Sequence, residues 1–160
     1  MKYVKSFLVA LVAVVTALML ATPASAVAAK FHSAVGSVNN GGALVVSFDE
    51  RGLGLDNIDY TLAAQATALY ACINGGGQHP QAANKEAFQG SVSGAASFAV
   101  KNGRVVADIT AGPLLEPSFT CPSGQKRVLA AVTYTGIVLT DVTNGTSVSV
   151  PDTSRVFFAV

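Results

Sequence analysis

Two Asn-Gly pairs, each set between runs in which apolar and polar residues alternate, commit this chain to antiparallel β-structure. Lys101-Asn102-Gly103-Arg104 separates residues 97–100 from 105–109, and Thr143-Asn144-Gly145-Thr146 separates residues 137–142 from 147–150. Asn and Gly tolerate the positive φ angles of a type I′ turn, whose twist matches the strands it joins. Two hairpins are therefore expected. The same alternation marks 31–38, 43–48 and 128–135 as strands, with a terminal strand over 155–159. Residues 87–97 carry Gly90 and Gly94, which reads as an edge strand or a bulge.

The stretch 58–73 (IDYTLAAQATALYACI) fits two templates. As a strand it puts Ile58, Tyr60, Leu62, Ala64, Ala66, Ala68, Tyr70 and Cys72 on one face, with Asp59, Thr61, Gln65 and Thr67 on the other. As a helix it lines up Leu62, Ala66, Leu69, Tyr70 and Ile73, and its alanines favour that state. The strand pattern runs longer and places the polar residues better. Sixteen extended residues would span roughly 53 Å, against a diameter of about 36 Å for a globule of this size. The stretch is thus expected to bend or split near residues 63–65 and to serve two sheets.

Residues 1–26 read as an export signal. Lys2 and Lys5 precede an uncharged apolar run over 7–20, Pro23 breaks it, and Ala24-Ser25-Ala26 supplies small residues for a signal peptidase. The run is shorter than the roughly 20 residues that span a bilayer. Residues 27–160 then form one exported domain, with no membrane association after cleavage. That part keeps eight Lys/Arg against nine Asp/Glu, a balance with no drive toward nucleic acid or anionic lipid. Its two cysteines, Cys72 and Cys121, can pair in one way, and an oxidising compartment favours the pair. Cys121 precedes Pro122, which places it at a strand end, so the bridge is expected to tie two loops at one end of the fold. About eight short strands and no clear helix argue for an all-β, antiparallel β-sandwich of immunoglobulin-like type.

Gly52-Leu53-Gly54, Tyr60, the run Tyr70-Ala71-Cys72-Ile73-Asn74-Gly75-Gly76-Gly77, then Pro80, Ala82, Asn84, Lys85 and Cys121-Pro122 give the middle of the chain a recognisable pattern. It resembles a group of small exported proteins of actinomycete-type bacteria and filamentous fungi that have no assigned activity. The likeness covers most of residues 47–141 and implies export, one disulfide and a β-rich fold. It carries no catalytic residue across.

Catalytic constellations are thin. His32 and His79 are the only histidines, Gly90-Ser91-Val92-Ser93-Gly94 has Val where a nucleophile elbow needs Ser, and no zinc-helix motif occurs. Asp49, Glu50, Asp56, Asp59 and Asp141 are the carboxylates open to glycosidase-type pairing. Asp49 and Glu50 would point to opposite faces of a strand, and Asp56 and Asp59 frame a turn, so all five read as solvated turn carboxylates. No metal ligand set and no cofactor motif are expected. The loop Asn74, Gly75, Gly76, Gly77, Gln78 and His79 lies beside a disulfide cysteine and is the candidate contact surface.

The reading is an exported, soluble, non-catalytic protein acting through its loops on an extracellular or cell-wall partner. The alternative is a small-molecule carrier with a cleft between its sheets. A peptidase inhibitor and a carboxylate hydrolase rank behind.

Overall fold

The computed structural model describes residues 28–54, 56–74, 80–115 and 118–159, so residues 1–26, expected to be an export signal, lie outside the described residues. Eight strands form among them: β1 (Lys30–Val38), β2 (Leu44–Arg51), β3 (Asn57–Asn74), β4 (Pro80–Ala99), β5 (Arg104–Ala111), β6 (Gln125–Asp141), β7 (Thr146–Val150) and β8 (Thr153–Val156). All pairings are antiparallel. A three-stranded sheet, β1-β2-β5, faces a five-stranded sheet, β4-β3-β6-β7, in which β8 continues along β6 beyond β7. In immunoglobulin lettering this is A-B-E against C′-C-F-G, with the fourth strand beside β3 rather than in the first sheet.

The period of two decides the ambiguous stretch in favour of a strand. In β3, Ile58, Tyr60, Leu62, Ala64, Ala66, Ala68 and Tyr70 are all buried, while the residues between them are exposed or half-buried. The expected irregularity falls where the sequence placed it, as a register shift against β6 between Ala63 and Gln65, and a second follows at Leu69/Tyr70. The strand neither splits nor serves two sheets, because both of its neighbours belong to the same sheet. The size estimate failed because it assumed a sphere. Strands of 17 to 20 residues in one sheet face strands of eight or nine in the other, so the longer sheet overhangs.

That overhang is covered by the connection between β5 and β6. Tyr70 donates its hydroxyl hydrogen to the Leu114 carbonyl at 2.7 Å. Phe119 packs on Tyr70 and Phe88, with ring centroids 6.3 and 6.0 Å apart. The Cys72–Cys121 disulfide fastens this connection to the end of β3, with Cα atoms 5.6 Å apart. The bridge sits at one end of the fold as expected, but Cys72 is a buried strand residue rather than a loop residue.

Both Asn-Gly turns form, in different ways. At Lys101–Arg104 the two residues exchange backbone hydrogen bonds of 2.9 and 3.1 Å, and Asn102 and Gly103 take φ of 53° and 70°. The arms then part into different sheets, so this is a corner between sheets rather than an in-sheet hairpin. Further along, β4 and β5 meet again where Gly94 lies against the Thr110 carbonyl, an approach no side chain allows. At the second turn only Gly145 is left-handed, at 70°. Residues 142–145 form a longer loop, because the Asp141 carboxylate accepts from the Asn144 backbone N–H at 2.8 Å and from its Nδ2 at 2.6 Å. The two segments expected at 128–135 and 137–142 join into one β6 through Gly136, φ 58°. The C-terminal strand ends at Val156, short of the expected 159.

Candidate functional site

The end of the sandwich carrying the Asn102–Gly103 corner holds two charged clusters on opposite faces of β2. The inward one begins with a phase: Leu44, Val46 and Phe48 are buried, and Glu50 follows in the same register with no exposed surface. Across the core, Tyr60 of β3 and Asp141 of β6 are directly paired in register, and both are fully buried. The Tyr60 hydroxyl donates to Glu50 Oε2 at 2.7 Å. Glu50 Oε1 has no donor. Phe31, Phe48 and Phe98 pack around the tyrosine, with Phe48 closest at 4.7 Å between centroids.

Burial, less a compensating pull from the Tyr60 hydrogen bond, pushes the Glu50 carboxyl up to about 7, and the neighbouring Asp141 adds to the rise. Protonated Glu50 gains an O–H for the oxygen that lacks a partner, and the Asp141 carboxyl beside it is the acceptor at hand. Burial and then the Glu50 carboxyl push the Tyr60 phenol well above its ordinary range, so it stays protonated and donates to Glu50.

These positions correct the sequence reading. Asp56 and Asp59 are exposed as expected, whereas Asp49, Glu50 and Asp141 are buried. The signal was present, since Glu50 continues the Leu44-Val46-Phe48 phase and Asp141 continues that of Ile137 and Leu139. The Glu50–Asp141 pair combines two carboxyls with one raised pKa, a feature that acid–base chemistry uses. It does not meet the condition of access, because neither carboxyl is exposed and neither lines any of the clefts described below.

The outward cluster uses the alternate residues. Asp49 accepts from Arg104 Nε at 2.7 Å and Nη2 at 2.8 Å, and from Arg51 Nη2 at 2.8 Å and Nε at 3.3 Å. The Arg104 hydrogen bonds and then those of Arg51 hold Asp49 far below the usual carboxylate range. Arg51 and Arg104 are themselves opposite one another on β2 and β5, so Asp49 is the counter-charge that lets two like charges share a site. Both arginine side chains stay about half exposed.

Two clefts meet at this cluster. One, of about 560 Å³, lies between Phe98 and Ala99 at the end of β4 and Val105 and Val106 of β5, with Lys101, Asn102 and Arg104 around it. The other, of about 450 Å³, is lined by Arg51, Gly52, Asn102, Gly103 and Arg104. Arg104 and Asn102 border both, which makes one groove over the corner. The Leu53 N–H donates to the Gly103 carbonyl at 3.1 Å and fixes its floor. Smaller clefts of about 230 and 260 Å³ lie beside Phe157–Phe158 and Gln65.

Of the loop expected to make contacts, only Asn74 is among the described residues, exposed at the end of β3 away from this corner. Gly75, Gly76, Gly77, Gln78 and His79 lie outside the described residues. Sequence reasoning missed Arg51, Lys101 and Arg104, because the corner that unites them depends on β4 and β5 joining different sheets. No group of three or more His, Cys, Asp or Glu side chains that could hold a metal ion occurs among the described residues. Compared with known proteins, the chain matches no family model, no curated protein and no solved structure.

Proposed function

We propose that the chain is an exported, non-catalytic binding module that engages an extracellular or cell-wall partner through the loop end of its sandwich. The observation that carries this is the groove at the Asn102–Gly103 corner, where the two sheets part and a rigid two-residue turn, two arginines and a lysine border an open cleft. Loops held on a stiff β-scaffold are a usual place for recognition. A disulfide is compatible with an oxidising compartment, and no helix among the described residues is long and apolar enough to cross a membrane.

A small-molecule carrier is the second reading. Its support is the same cleft, whose volume exceeds the roughly 300 Å³ a small ligand needs and whose walls, Phe98 and Val105, come from different sheets. Lys101, Asn102 and Arg104 make that cleft a polar-rimmed one rather than a dry pocket.

Two measurements test the proposal. Expression of the full chain in a secreting host should yield protein in the medium or wall fraction with Val27 at its amino-terminus. Amide chemical shifts should then be followed while soluble wall polymers, or separately small amphiphiles, are added. Shifts at residues 98–106 with polymers support the module. Shifts confined to amphiphiles support the carrier. Protein retained inside the cell with residues 1–26 attached overturns the export reading.

A further inference from the structure

We propose that Arg51, Arg104 and Lys101 form a recognition site for oxyanion groups, carboxylate or phosphate, carried along an extended polymer laid in the corner groove. This rests on the binding-module reading and names the chemistry of its ligand. Two arginines directly opposite each other on adjacent strands repel, and a sequence shaped for stability alone would place a carboxylate at one of the two positions. Here one carboxylate serves both. Asp49 takes two N–H donors from each guanidinium, and a guanidinium carries five. Three donors on each arginine are thus left over from the Asp49 clamp, on side chains about half exposed. Planar guanidinium forks match the geometry of carboxylate and phosphate oxygens.

The clamp also orients the forks before any ligand arrives, which lowers the entropy lost on binding. With Lys101 on the same corner the cluster keeps two uncompensated positive charges. The stretch is bounded: Asp108 is exposed on the outer face of β5, two positions beyond Val106, so the cationic part of the groove is short and ends there. Val106, 65% exposed between Arg104 and Asp108, adds an apolar contact for the polymer backbone. Asp56 is exposed before β3 and lines neither cleft.

The test is a titration of the protein with polygalacturonate, with linear polyphosphate and with neutral dextran of similar chain length, read by amide shifts and by affinity at 20 and 150 mM salt. Binding of one or both anionic polymers at residues 51–53 and 101–106, with none of dextran, is the expected result. Preference for the first or second polymer identifies carboxylate or phosphate as the oxyanion recognised. Arg51→Gln with Lys101→Gln leaves the Arg104–Asp49 pair intact, and should weaken binding about tenfold or more and flatten the salt dependence by about one to two units of slope. An unchanged amide spectrum outside the groove shows that the variant folds.

Three results would overturn the proposal. Equal affinity of the variant and the parent is one, and binding of anionic polymers at another surface is the second. Both leave the module reading standing. The third is binding of dextran alone, which keeps the module and removes the oxyanion. Failure of every polymer and amphiphile to bind removes both readings together.

Discussion

Replacing Glu50 by Gln should make the protein more stable at pH 8 and remove most of its pH dependence between pH 5 and 8. Glu50 titrates near 7 in the fold against an ordinary value of 4.5. Between those values the folded chain keeps a proton that the unfolded chain has released, so stability falls as pH rises. The contribution is fully present below 4.5 and is lost as pH passes 7. A shift of that size corresponds to about 3 kcal/mol as a ceiling, at 1.36 kcal/mol per pKa unit. Asp49 shifts the other way, with a lowered pKa whose stabilising effect is complete above its ordinary 3.8, so it adds a constant over this window. The expected fit keeps the Gln Oε1 as acceptor for Tyr60 and turns its Nε2 toward Asp141, where the acid O–H was. Urea denaturation at pH 5, 6, 7 and 8, with the disulfide kept oxidised, measures the effect. The parent should lose up to about 3 kcal/mol across the series, and Glu50→Gln should stay nearly flat. A parent profile flat from pH 5 to 8, or a variant weaker than the parent at pH 8, would refute the account of a buried, protonated Glu50.

Tyr60→Phe removes the hydrogen bond that holds the Glu50 pKa down, so the falling limb of stability should move to higher pH, with a loss of about 1–3 kcal/mol from the orphaned oxygen; an unmoved limb counts against the contact. Gly94→Ala drives a methyl group into the Thr110 backbone carbonyl and should cost about 3 kcal/mol, whereas Gly54→Ala, with nothing within 4 Å of the new atom, should stay within about 0.5 kcal/mol by thermal unfolding. Changing Cys72 and Cys121 together to Ser reopens a loop spanning 49 positions and should lower stability by up to about 4 kcal/mol. Limited proteolysis should then cut first in the connection 112–124, which the bridge pins over Tyr70 and Phe88.

Alternation was enough to read the layers. Residues 58–73 carry alanines that favour a helix in isolation, yet Asp59, Thr61 and Gln65 can all face water only if the segment is extended. What alternation could not supply was sheet membership. The Asn102–Gly103 turn reverses the chain with the geometry its residues demand, but a turn specifies only its own two residues and the pair that closes it. Whether the arms stay together depends on long-range packing, here the pass of Gly94 against Thr110 and the pairing of β5 with β2. The overhang escaped notice for a similar reason. A mean radius assumes equal layers, and Leu114, Phe119 and the disulfide cover a surface that no strand of the smaller sheet reaches.

The site shows how far the same rule extends. Phe48, Asp49, Glu50 and Arg51 are consecutive, and a strand sends them alternately into the core and out of it. Reading the acidic pair as solvent-facing treated charge as the deciding property. Phase decides instead, and a buried acid is then tolerated if a neighbour accepts its proton. Asp141 meets that condition from the opposite sheet, while Tyr60 donates to the other carboxyl oxygen. The outer face is freed for a different task, with Asp49 clamping the two arginines. Because Glu50 and Asp49 share a strand but not a face, the two clusters should be separable: Glu50→Gln should change the pH profile of unfolding and leave polymer affinity at the groove within about twofold, the scatter expected for a substitution that makes no contact there. Coupled losses in both measurements would mean that the end of β2 moves as one unit, and that the proton held inside governs the surface outside.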